Sequence, residues 1–197
     1  MDSNKHVSMV ADFSTLALLL IPVGIAINVV GGSIAKALQL PLFLDAIGTL
    51  MVGIIAGPWV GAATGLIHNV VLGLIMNPMM IPYAIVNMAF GLVAGFLARA
   101  GWFENPARVF FAGLIIVGVA VLTSVPINVF LFGGTAHGAA GLLTGYLIAI
   151  GTGIWKAVFA VSFLRELADK LISVYAAFGI YKALPPGFLN KFPSREK

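Results

Sequence analysis

A few polar side chains set inside long apolar runs are the groups of this sequence best placed to do chemistry. They are Asp45, Lys156 and four asparagines, Asn28, Asn69, Asn87 and Asn128, with His68, Tyr83, Tyr146 and Trp155 close by in sequence. A carboxylate or ammonium at the centre of a membrane helix costs roughly 2.5–3.5 kcal/mol, so a partner or a task must keep it there. Asp45 falls near one end of the second apolar segment. It either meets water at an interface or points inward and accepts hydrogen bonds from a ligand. Lys156 either carries its ammonium to the headgroups on its long stem or pairs with an acid or an anionic part of a ligand. One asparagine in a membrane helix is most often a link between two helices. Four, on four different segments and with aromatic neighbours, also suit a pocket for a polar planar molecule. His68 alone reads as structural.

Other chemistries lack their residues. There is no G-x-x-x-x-G-K-[ST] phosphate loop, no H-E-x-x-H pair and no G-x-S-x-G elbow. The chain also lacks a paired catalytic aspartate, an Arg-rich voltage-sensing helix and a T-V-G-Y-G filter. It has no cysteine, which excludes disulfides and thiolate metal sites. No enzyme activity, cofactor or metal is expected. The net charge of +4 sits beside apolar spans, not in aromatic-interleaved patches, so nucleic acid is not an expected partner.

The elements that must position these residues follow from composition. Hydrophobic residues make up 60% of the chain and charged ones 9%, against about 25% charged in soluble domains. Mean hydropathy is +1.07. The expectation is an all-α, polytopic membrane protein, a bundle of six transmembrane helices in one domain over residues 1–184. The helices are placed at about 11–31, 42–56, 59–76, 81–98, 109–132 and 139–164, the breaks falling at Gly57-Pro58 and Asn77-Pro78. Residues 32–40 read as a linker carrying Lys36, Pro126 as a kink, and 133–138 as a flexible loop. Residues 167–184 either extend the sixth helix or lie along the interface, and 185–197 read as a solvated tail. The apolar run from Phe13 is too long for the core of a signal peptide and reads as a retained first helix.

Six spans put Lys5, Arg99, Arg108, Arg165, Lys170, Lys182, Lys191, Arg195 and Lys197 on one side and Lys36 on the other. The positive-inside rule then predicts a multi-pass protein of the cell membrane with both termini in the cytoplasm. Small residues recur every four positions, as in Gly57, Gly61, Gly65, Asn69 and Gly73, in Asn87, Gly91 and Gly95, and in Gly141 and Gly145. Each set forms one helix face and predicts close packing.

The stretch Leu42-Phe-Leu-Asp45-Ala-Ile-Gly48-Thr49, followed by Ala56-Gly57-Pro58-Trp59-Val-Gly61 and Gly65 to Asn69, resembles the substrate-binding S components of energy-coupling factor (ECF) transporters. Phe90-Gly91 to Arg99 is similar to that family's fourth helix. The resemblance implies a subunit that captures a vitamin or related micronutrient from outside. Delivery would follow docking on a transmembrane coupling protein driven by two ATPase subunits, so ATP hydrolysis is expected on separate chains. It also implies a ligand site in the outer half of the bundle, drawing on Asn28, Lys36, Gln39, Asp45, Asn69, Tyr83, Asn87, Asn128 and Tyr146, with Trp155 and Lys156 deeper. Docking would use the first helix, where Ser14, Ala17, Gly24 and Ala26 are small but form no A-x-x-x-A pair. The alternatives are the membrane domain of a sensor and a solitary ion-coupled carrier. The two halves share no clear repeat of the kind carriers show.

Overall fold

Gly57 and Pro58 turn the chain sharply. Gly57 has φ +98°, a region that side chains resist, and Pro58 starts the next helix where its missing N–H does no harm. In the computed structural model, which describes residues 12–134 and 139–192, the described residues form helices and no strand. The helices are α1 (Thr15–Ala37), α2 (Ile47–Ala56), α3 (Pro58–Ile75), α4 (Ala84–Arg99), α5 (Pro106–Phe132), α6 (Ala139–Ala149), α7 (Ile154–Ala183) and the short α8 (Pro186–Leu189). A 3-10 turn, Pro78–Met80, lies between α3 and α4. Three of them, α1, α3 and α5, are long and apolar enough to cross a membrane, while α2, α4 and residues 140–149 form shorter apolar helices.

The centre of the bundle is α2. Every residue from Gly48 to Ala56 is buried, and α1, α3, α4 and α7 pack around it. That contact depends on missing side chains. A Cβ on Gly48 would stand 1.9 Å from the carbonyl oxygen of Gly24, and one on Gly91 would stand 2.1 Å from the carbonyl carbon of Gly61. Gly24 faces Gly48 while Gly31 faces Leu44, so α1 and α2 run antiparallel. By the same argument Gly61 opposite Gly91 and Gly65 opposite Asn87 make α3 and α4 antiparallel.

The two ends of the bundle are distinct. At one, Arg99 pairs with buried Asp12 beneath Gly57, and the Tyr175 hydroxyl donates to the Pro106 carbonyl at 3.0 Å. Burial raises the Asp12 carboxyl above its ordinary range, and Arg99 opposes that shift. At the other end, Tyr83 stacks on Phe132 at 5.8 Å and Trp155 meets Phe130 edge-on at 5.3 Å. The connection 38–46 lies at this second end.

Several boundaries differ from those expected of the sequence. Residues 32–37 continue α1 and are not linker, so Lys36 sits in a last helical turn. The second helix starts at Ile47, not 42, because residues 41–46 leave helical geometry, with Leu44 at φ +51°. The expected sixth helix, 139–164, is divided at Gly151, which has φ +94°. Its second half joins 167–183 in the single helix α7, and this settles residues 167–183 as an extension. Pro126 lies within continuous α5. The tail is not wholly solvated, because Leu189 and Phe192 are buried in the core cluster with Phe103. Lys5, Arg195, Lys197 and most of the expected loop 133–138 lie outside the described residues.

Candidate functional site

A cavity of about 300 Å³ opens among the connection 38–46, the ends of α3 and α4, the middle of α7 and the last turns of α5. Its polar wall begins with a chain of amides. Asn87 donates through Nδ2 to Asn69 Oδ1 at 2.8 Å and, more weakly, to the Asp45 carbonyl at 3.4 Å. Asn69 in turn donates to the Met80 carbonyl at 3.2 Å. Opposite them the Tyr83 hydroxyl donates to Asn128 Oδ1. These bonds leave Asn87 Oδ1, Asn128 Nδ2 and the hydroxyl of Ser124 buried without a protein partner. Unspent buried polar atoms are rare in folded proteins and ask for a guest or water.

The charged wall comes from α7. Arg165 donates to Glu166 at 3.1 Å, and Lys170 lies 3.4 Å from the other oxygen of Glu166, one helical turn away. Lys170 also pairs with the neighbouring Asp169. All four side chains are less than a tenth exposed. Such a group is stable only if each charge is answered, and here the answers extend beyond the helix. The Arg165 guanidinium stands 4.5 Å from the centre of the Phe43 ring, and the Lys170 ammonium 4.6 Å from that of Phe90. Asp169 Oδ1 accepts the backbone N–H groups of Phe43 at 2.9 Å and Leu44 at 2.8 Å, which pins the connection onto α7.

Of the residues expected at a site, Asp45, Asn69, Tyr83, Asn87 and Asn128 line this cavity together. The others do not. Asn28 is fully buried but committed to α2: it accepts from the N–H groups of Gly48 and Thr49 at 2.7 and 3.2 Å and donates to the Thr49 hydroxyl at 2.8 Å. The first residue flanking α2, Ala46, has no side chain able to cap, so Asn28 caps α2 from a neighbouring helix. Lys36 and Gln39 are exposed and stand outside the cavity wall. Tyr146 on α6 is 61% exposed, and Trp155 and Lys156 are exposed on the first turn of α7. Of the expected docking residues, Ala17 and Gly24 are buried within the bundle, Ser14 accepts from the Ala17 N–H at 3.2 Å, and Ala26 alone is exposed.

In the sequence Arg165 and Lys170 read as charges at the membrane face, and Phe43, Glu166 and Asp169 are not among the expected site residues. A signal was present. Ser162, Glu166, Asp169 and Ser173 recur at three- and four-residue spacing in a run whose other residues, Arg165 and Lys170 apart, are apolar, the pattern of a polar stripe turned inward. Among the described residues no cluster of His, Asp or Glu is set to hold a metal ion. The arrangement can hold a small molecule between aromatic faces and fixed hydrogen-bonding groups. Comparisons with protein-family models, with characterised proteins and with solved structures find no match for the chain.

Proposed function

We propose that this chain is the substrate-capture subunit of an ECF-type importer, which binds a vitamin or related micronutrient and delivers it by docking on an ATPase-driven coupling module. The observation that carries the reading is the cavity itself: five of the expected polar residues, from four segments, converge on it, and buried amide and hydroxyl atoms there remain unspent. Pockets for small molecules combine apolar and aromatic walls with a few convergent polar groups, and about 300 Å³ lies at the small end of their range.

Six crossings suit this reading, formed by α1, α2, α3, α4, α5 and α7 in alternating directions, with α6 as an added segment beside α7. Arg99, Arg108, Lys182 and Lys191 then lie at the end away from the cavity, and Lys36 and Lys156 at the cavity end. The positive-inside rule puts the former in the cytoplasm and opens the cavity outward. Docking on the coupling protein would use exposed positions of α1 around Ala26, since Ala17 and Gly24 are taken up inside the bundle.

The test is affinity purification of the tagged full chain from its native membrane, with mass spectrometry of the associated proteins and of any retained small molecule. A membrane coupling protein and two ATPases should accompany it. Recovery of the chain without any ATPase partner, in mild detergent and at native expression, would remove the importer reading.

A further inference from the structure

The capture reading leaves the substrate open, and the charges around the cavity narrow it. Three carboxylates, Asp45, Glu166 and Asp169, stand against two cations, Arg165 and Lys170. Both cations are paired, Arg165 with Glu166 and the Phe43 ring, Lys170 with Asp169, Glu166 and the Phe90 ring, and Arg165 Nε is left without an acceptor. The elements α3, α4 and α5 bring no charged side chain to the wall. Asp45 is therefore the carboxylate left over: it stands on the cavity wall within the field of Lys170 but makes no ion pair among the described residues. The unspent atoms at the wall serve both roles: Asn87 Oδ1 is an acceptor, Asn128 Nδ2 and Arg165 Nε are donors, and the Ser124 hydroxyl can be either. Three aromatic rings, Phe43, Tyr83 and Phe90, border the same space, one face of each already met by Arg165, Phe132 and Lys170 respectively.

Resting on the capture reading, we infer that the site selects a small planar organic cation of single positive charge, whose charge meets Asp45 and whose polar groups meet Asn87 Oδ1, Asn128 Nδ2 and the Ser124 hydroxyl. An anion would face one surplus negative charge, with each cation already paired to a carboxylate. A neutral ligand would leave the Asp45 carboxylate unanswered in a poorly solvated cavity, where a lone charge is disfavoured.

The experiment uses a charge series on one shape. The full chain, purified in detergent, is titrated at up to millimolar concentration with 1-methylnicotinamide (cation), 3-methylbenzamide (neutral) and 3-methylbenzoate (anion), reading thermal stabilisation and calorimetric affinity. The cation should bind at least tenfold more tightly than either isostere. Asp45→Asn should erase that preference, while Asp45→Glu should keep most of it. Equal or tighter binding of the neutral or anionic member, no binding by any of the three, or an unchanged preference in Asp45→Asn would overturn the assignment. Should Asp45→Asn fail to fold, the series on the unaltered chain decides alone. A neutral or anionic ligand that binds, in a chain that still recruits its ATPases, would sink the charge assignment and leave the capture reading standing.

Discussion

Asparagines that look alike in sequence do different work, and their hydrogen bonds separate them. Asn28 spends both ends of its amide on α2, whereas Asn87 and Asn128 each keep one atom free at the cavity. Asn28→Ala is expected to destabilise the protein by about 1–3 kcal/mol for each buried group it orphans, with ligand affinity unchanged; thermal unfolding beside calorimetry reads both. Loss of affinity at unchanged stability would return Asn28 to the site. Asp169 joins the two kinds of role. Asp169→Ala removes the anchor of Phe43 and Leu44 and leaves Lys170 short of a partner, so a loss of about 3–5 kcal/mol is expected, seen as a lower unfolding temperature in detergent. The connection 38–46 should also become more open to proteolysis. The sequence made Asp45 and three of the asparagines legible because a polar group in an apolar run stands out alone. It hid Arg165, Glu166 and Lys170 because a run of charges at a helix end looks like a rim, and only the extent of α7 shows otherwise.

At the level of helices, close approach explains which glycines matter. Gly48 and Gly91 lie against backbone of a neighbouring helix, while Gly145 on α6 has open space where a Cβ would go. Gly91→Leu should therefore abolish folded, monodisperse protein, and Gly48→Ala should lower stability by at least about 1–3 kcal/mol. Gly145→Ala should leave both yield and melting temperature unchanged. Size-exclusion profiles and thermal unfolding distinguish the three. The stripes at Gly61, Gly65 and Gly91 were readable as packing faces from their spacing alone. The equally regular stripe at Gly141 and Gly145 was not distinguishable from them, because spacing reveals a smooth face without revealing whether anything lies against it. The breaks at Gly57-Pro58 and Asn77-Pro78 fell as expected, since each carries local turn chemistry. Gly151 escaped notice within an apolar run, and its break moved Trp155 and Lys156 from the middle of a helix to its first turn.

For the molecule as a whole, the consequence lies in the length of α2. Ten residues rise only about 15 Å, half the hydrocarbon thickness of about 30 Å that a crossing segment has to span. A lipid-facing helix so short would pinch the bilayer. This one is sheathed by its neighbours, and Phe43 and Asp45, in the non-helical stretch that leads into it, border the cavity. A bound molecule would then stand in for unbuilt helix and complete the interior as a keystone completes an arch. At one hundred times its dissociation constant it should add about 2.7 kcal/mol to stability, enough for differential scanning fluorimetry to register. The gain should shrink in chains whose connection 38–46 has been cut, because the stone would have lost one of its abutments.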